Sequence, residues 1–249
     1  MARILILGGT TEASALADAL ARTGADAVLS YAGRVARPRA QPVPVRIGGF
    51  GGADGLADYL RTEKITHLVD ATHPFAATIS SNAVAAARAT DTPLIALTRP
   101  PWQPGPGDDW RFVPDIPAAL TALNGPARRV MLALGRMHLA QFAACPQHHY
   151  LLRLVDPPDA PPPLPRHSIT LDRGPFTAEG DIALMRDHSI QIIVAKNAGG
   201  SGADAKLAAA RMLRLPVILI DRPALPARRE ATSVAEVLRW LDHPADLGV

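Results

Sequence analysis

Along this chain, short apolar runs of strand length alternate with segments in which apolar residues recur every third or fourth position, the pattern of strands and helices taking turns. Residues 4–7, 27–30, 65–69, 93–97, 129–134, 150–155, 168–171, 190–195 and 216–220 read as strands. Helical periodicity follows residue 10 (Leu16, Ala19, Leu20) and covers 53–63, 76–88, 117–123, 180–187, 204–213 and 233–241. Continuous apolar strands are buried on both faces, which is the condition of a parallel sheet with helices on each side. The expected fold is therefore α/β, with two Rossmann-like parallel-sheet domains facing a central cleft. A Pro/Gly-rich stretch at 100–106 and the turn Asn124-Gly125-Pro126 put the expected boundary between 1–125 and 126–249. Residues 157–165 read as a surface excursion, and no repeat of solenoid period is present.

The first strand stops at Gly8-Gly9, and a helix begins immediately after. That geometry aims free N–H groups and the positive end of a helix at the loop, where a pyrophosphate can sit. Gly8, Thr10 and Ala13 occupy the small positions of a G-x-G-x-x-G fingerprint. Thr10 carries a Cβ where that pattern has none, but its hydroxyl can bond a phosphate oxygen. An NAD site usually places an acid after the second strand, about 20 residues on. Ser30, Gly33 and Arg34 stand there instead, and a hydroxyl with a guanidinium suits a 2′-phosphate. NADP is the expected cofactor.

Composition narrows the class. The chain has 249 residues, 48% apolar but only 4% aromatic, so Ala, Leu and Val must fill the core. Of its 26 basic residues only Lys64, Lys196 and Lys206 are lysine, and the net charge of +3 is too small to argue for nucleic acid. A single cysteine, Cys145, excludes internal disulfides and Cys-based metal clusters. No signal-peptide pattern and no membrane-length apolar run is seen, so the expected setting is cytoplasmic, without membrane or nucleic-acid partners, as a monomer or weak oligomer.

Open α/β sheets bind ligands at the carboxyl ends of their strands. Arg99, Arg136, Arg173, Lys196 and Arg222 all fall within a few residues of such ends, and together they would suit a substrate bearing several carboxylates or phosphates. The loop Asp70-Ala71-Thr72-His73-Pro74-Phe75-Ala76 follows a strand, with Pro74 forcing His73 into an extended conformation. Lys196-Asn197-Ala198-Gly199-Gly200-Ser201-Gly202 forms a second Gly-rich turn ahead of a helix. P-loop, Tyr-x-x-x-Lys, H-E-x-x-H and G-x-S-x-G patterns are all missing. His148-His149 has no partner at zinc-site spacing, so no metal is expected.

Taken in order, residues 7–13, 30–34, 48–51, 70–76, 97–100, 196–200 and 221–223 resemble the precorrin-6A reductases of cobalamin biosynthesis over nearly the whole chain. The resemblance implies an oxidoreductase that uses NADPH to reduce one C=C bond of a tetrapyrrole, giving precorrin-6B by hydride delivery to C19 and protonation at C18. It implies cofactor contacts from Gly8, Gly9, Thr10, Thr11, Glu12, Ser30, Gly33, Arg34, Gly49 and Thr72. Substrate contacts are expected from the strand-end cations Arg99, Arg136, Arg173, Lys196 and Arg222 and from His73, Phe75, Asn197, Gly199 and Gly200, with Asp70 and His73 as the catalytic candidates at the reacting edge. Ala198 departs from a Ser associated with this loop. Two alternatives stay open: the cobalt-containing precorrin-6A of the anaerobic route as substrate, or a non-catalytic NADP- or anion-binding module.

Overall fold

The computed structural model describes residues 2–32, 40–158, 160–172 and 174–242. Gly33, Arg34 and Arg173, all singled out above, lie outside the described residues. The strands form two six-stranded sheets in which every pairing is parallel.

The first sheet collects β1 (Arg3–Leu7), β2 (Asp26–Tyr31), β3 (Val45–Ile47), β4 (His67–Asp70) and β5 (Leu94–Leu97), interleaved with α1 (Thr11–Arg22), α2 (Gly52–Thr62) and α3 (Ala77–Ala89). The second collects β6 (Trp110–Val113), β7 (Arg129–Ala133), β8 (His149–Leu154), β9 (His167–Leu171), β10 (Ile192–Lys196) and β11 (Val217–Ile220). Its helices are α4 (Ile116–Leu123), a 3-10 segment Arg136–Ala144, α5 (Ala178–Asp187) and α6 (Ala205–Leu213). The chain then returns to the first sheet with β12 (Arg229–Ala231) and α7 (Val234–Asp242).

Spatial order is β3-β2-β1-β4-β5-β12 in the first sheet and β9-β8-β7-β10-β11-β6 in the second. Each is wound outward from a central strand in both directions, so each has one switch point: β1/β4 in the first and β7/β10 in the second. Each sheet also takes its sixth strand from the chain that has just left the other. β6 follows β5 but pairs with β11, and β12 follows β11 but pairs with β5.

This exchange moves the expected boundary. Compact units comprise the chain up to Pro100 together with everything from Ala224 on, and Pro101–Pro223. The division at 125/126 misplaces β6 and α4, which belong with β11, and separates β12 and α7 from their sheet. The strands responsible were invisible to periodicity because each lies at a sheet edge. In β3 and β6 most residues face solvent, and only Ala231 of β12 is buried.

The strands in the middle explain why the rest was legible. Ile4 and Ile6 pack toward α1 and α7 against Leu16, Leu20, Val237 and Trp240. Leu5 and Leu7 point the other way, against Leu56, Leu60, Ala83 and Ala86. A strand covered on both sides needs an unbroken apolar run, and each buried Leu or Ile contributes about 1.5–3 kcal/mol. In the second unit Met131, Leu151, Ile193 and Leu219 pack with Met185 and Leu207 in the same manner.

Candidate functional site

The switch point of the first unit lies between the ends of β1 and β4, and the loops leaving both strands are built for backbone exposure. A Cβ on Gly8 would come within 2.5 Å of Leu29 Cδ1, so a side chain there would displace the Leu29 tip from the core. Gly8 N–H donates to Ser30 C=O at 2.9 Å. Gly9 has φ +122°, which strains any L side chain, and the space above it is open for 4 Å. The backbone ahead of α1 is bare at that position.

Thr10 differs from the expectation drawn from its hydroxyl. It is the N-cap of α1: Oγ1 accepts from Ala13 N–H at 3.1 Å and donates to Ala71 C=O at 2.7 Å. Its one proton is thus committed to tying the β1 loop to the β4 loop. The backbone N–H groups of Gly9, Thr10 and Thr11 have no partner among the described residues.

Glu12 sits in the first turn of α1 and meets Arg99 at 3.2 Å, while Thr11 Oγ1 donates to it at 3.1 Å. Burial works against its charge, but its own backbone N–H, Arg99 and Thr11 outweigh burial and hold the carboxyl below the ordinary glutamate range. Arg99 therefore spends its charge on Glu12, joining the end of β5 to α1.

Asp70 ends β4 and is 2% exposed. Its Oδ1 accepts from Thr72 N–H at 3.1 Å and from Thr72 Oγ1 at 2.6 Å, and its Oδ2 meets Arg228 at 2.5 Å. Both oxygens are occupied by donors that fix the loop. Thr72 Oγ1 also reaches Ser80 on α3 at 3.3 Å. His73 is half-buried, its Nδ1 accepts from Phe75 N–H at 3.2 Å, and its ring lies 5.9 Å from that of Phe75. Ala76, which opens α3, supplies no side-chain cap, so the N–H groups of the first turn face the same loop.

In the second unit the switch point is β7/β10. Gly135, with φ +72°, turns the chain into the 3-10 segment that begins at Arg136, and Lys196 ends β10. Arg136 is exposed and forms no ion pair among the described residues. His138 follows, held toward its neutral form by burial and by the charge of Lys196. Asn197 and Arg222, both in the expected substrate set, bond the backbone around the Gly-rich turn. The Asn197 side chain is 4% exposed and bonds the backbone of Trp102 through both of its polar atoms, at 2.8 and 3.4 Å. Arg222 donates at 3.0 Å to the carbonyls of both Asn197 and Ala198. Gly199 and Gly200 make consecutive left-handed turns, and Gly200 C=O accepts from the Trp102 indole at 2.8 Å. The Gly-rich turn is thus stitched down by groups that sequence reasoning had assigned to a ligand.

Three cations were missed or misjudged. Arg46 stands on the short β3 beside Ser30, Arg228 reaches Asp70 from far along the chain, and Arg153 pairs with Asp181 at 2.5 Å beneath the Phe176 ring. Only Arg153 lay in a recognised strand. No group of metal-ligating side chains and no helix long and apolar enough to cross a membrane occurs among the described residues.

Comparison with known proteins agrees over the same span. A family model described as Precorrin-6x reductase CbiJ/CobK matches residues 3–242. The precorrin-6A reductase of Rhodobacter capsulatus is 58% identical over 98% of both chains. A cobalt-precorrin-6A reductase from Priestia megaterium is 30% identical over 96% of this chain and 97% of its own. A solved structure titled CobK precorrin-6A reductase superimposes with a TM-score of 0.94 at 57% identity, covering 98% of each chain. The chain belongs to the precorrin-6x reductase family CbiJ/CobK.

Proposed function

We propose that this chain reduces precorrin-6A to precorrin-6B with NADPH in cobalamin biosynthesis, adding hydride at C19 and a proton at C18. The observation that supports the reading is the β1/β4 switch point, where Gly9 leaves bare backbone ahead of α1 in a chain of this reductase family, the place where a dinucleotide's diphosphate would sit. The relatives support one of the two substrates. Identity is 58% to a precorrin-6A reductase and 30% to a cobalt-precorrin-6A reductase, which favours the former.

When bound, the nicotinamide supplies the hydride. The chain's own residues position the partners. Gly9, Thr10 and Thr11 hold the diphosphate through backbone N–H groups. Asp70, fixed by Arg228, sets the path of residues 71–76 and so the placement of Thr72 and His73. Arg136 and Lys196 bind carboxylates of the substrate. His73 and Phe75 meet the tetrapyrrole edge as positioning groups.

The test is direct. Purified protein is mixed with NADPH and precorrin-6A, or with the cobalt form, and nicotinamide absorbance and product mass are followed. Oxidation of NADPH with a two-hydrogen mass gain in precorrin-6A is the expected result. Binding of NADPH without turnover of either substrate would reduce the protein to a binding module, and faster turnover of the cobalt form would reverse the substrate assignment.

A further inference from the structure

We infer that Arg46 is the residue that selects the 2′-phosphate of the cofactor, gripping it together with Ser30; this rests on the reading that the cofactor is NADPH. The sheet register places the pair. Ser30 stands beside Leu7 of β1 on one side and beside Arg46 of β3 on the other, at the end of β2. In a doubly wound sheet the adenosine ribose of a dinucleotide lies at that end, one strand away from the diphosphate turn. A guanidinium and a hydroxyl therefore stand side by side at the place where a 2′-phosphate would arrive.

Arg46 is held in advance. Nη1 donates to Gly48 C=O at 2.5 Å and to Ser30 Oγ at 3.4 Å, and Nη2 donates to Gly49 C=O at 2.8 Å. Its guanidinium carbon lies 3.8 Å from the centre of the Phe50 ring and 5.1 Å from that of Tyr59. Those two rings are themselves packed edge to face at 5.2 Å. Stacking and two carbonyl bonds fix the plane of the guanidinium before any ligand arrives, so little rotamer freedom is left to lose on binding.

Its charge is also uncompensated. Arg99 is neutralised by Glu12 and Arg228 by Asp70, whereas Arg46 meets only neutral oxygens and aromatic faces among the described residues. A guanidinium has five N–H donors. The bonds above use three, leaving Nε–H and one Nη2 hydrogen without a partner among the described residues. An arginine clamped by carbonyls but given no carboxylate is suited to an anion, and a doubly charged phosphate oxygen cluster is the match its fork prefers. A structural clamp alone would not need to keep the charge free.

The experiment compares ligands that differ only at the 2′ position: NADPH with NADH, and 2′,5′-ADP with 5′-ADP, each titrated by fluorescence or calorimetry against wild type, Arg46→Met and Arg34→Ala. Arg46→Met keeps an apolar stem on Phe50 and should weaken NADPH and 2′,5′-ADP by at least about tenfold. NADH and 5′-ADP should change by less than about twofold. If the methionine variant melts early, Arg46→Lys retains charge and stem but loses the planar fork, and it should lose part of the same preference. Equal weakening of all four ligands, or an NADPH preference that survives at Arg46 and vanishes only in Arg34→Ala, overturns the assignment. A wild-type protein with no preference for the 2′-phosphate overturns it together with the NADPH reading, whereas a wild type that prefers 2′,5′-ADP but turns over no precorrin removes the enzymatic reading alone.

Discussion

Arg228 and Asp70, 158 residues apart in the chain, meet at 2.5 Å with side chains only 7% and 1% exposed. A buried ion pair offers modest net stability, but removing one partner leaves the other charge unpaired in a poor solvent. Arg228→Ala should therefore destabilise the protein by about 3–5 kcal/mol in urea unfolding. Adding Asp70→Asn should recover part of that loss, because the stranded charge is gone. Purely additive losses would show that the two side chains do not interact.

The same pair bears on the chemistry. With both Asp70 oxygens accepting bonds and His73 Nδ1 accepting from Phe75 N–H, the loop is organised to place groups. A true general acid contributes about 10²–10⁴-fold. His73→Ala should lower kcat by less than about 100-fold and leave both limbs of the pH–rate profile in place. A larger fall with loss of one limb, at unchanged NADPH affinity, would make His73 the proton donor.

Cations at the strand ends of the second unit should separate into two kinds. Arg136→Ala and Lys196→Ala should raise the KM for precorrin-6A, more so at low salt, with little change in Tm. Asn197→Ala and Arg222→Ala should lower Tm instead, since those side chains hold the backbone of Trp102, Asn197 and Ala198. Four variants with the same KM and Tm pattern would erase the distinction.

Glu12 makes the acid limb of stability testable. Its carboxyl is held below its ordinary value of 4.5 in the folded chain. The unfolded chain therefore binds the proton first as pH falls, and stability drops. The contribution of Glu12 is complete above about pH 4.5 and disappears as pH falls through the lowered folded value. Glu12→Gln and Arg99→Met should both flatten the fall of urea stability as pH drops from about 4.5 through that lowered value. An unchanged slope in Glu12→Gln would assign the acid sensitivity to other carboxylates.

What the sequence disclosed follows from where the energy is local. β1, β4 and β10 have apolar middles because both faces are covered, and Gly9 marks a turn whose φ favours glycine. These features are written into neighbouring residues. Partnerships across the chain are not. The donor that fixes Asp70 comes from a segment with no signal of its own, and Arg46 lies in a three-residue strand whose flanking valine and isoleucine face solvent. Strand-end position singled out Asn197 and Arg222, but only their hydrogen-bond partners show that they hold the backbone.

The exchanged sixth strands also dictate an order of assembly. As the chain emerges from the ribosome, β1 through β5 can associate, yet the outer edge of β5 stays open until residues 229–231 appear. By then the entire second sheet has been synthesised. Completion of the earlier half is thereby postponed until the second unit has been translated, and a nascent chain halted before Arg228 lacks both its edge strand and the counter-ion of Asp70. Contacts this distant in sequence are slow to form. A truncated product would expose an unpaired parallel edge, a ready template for association with other nascent chains.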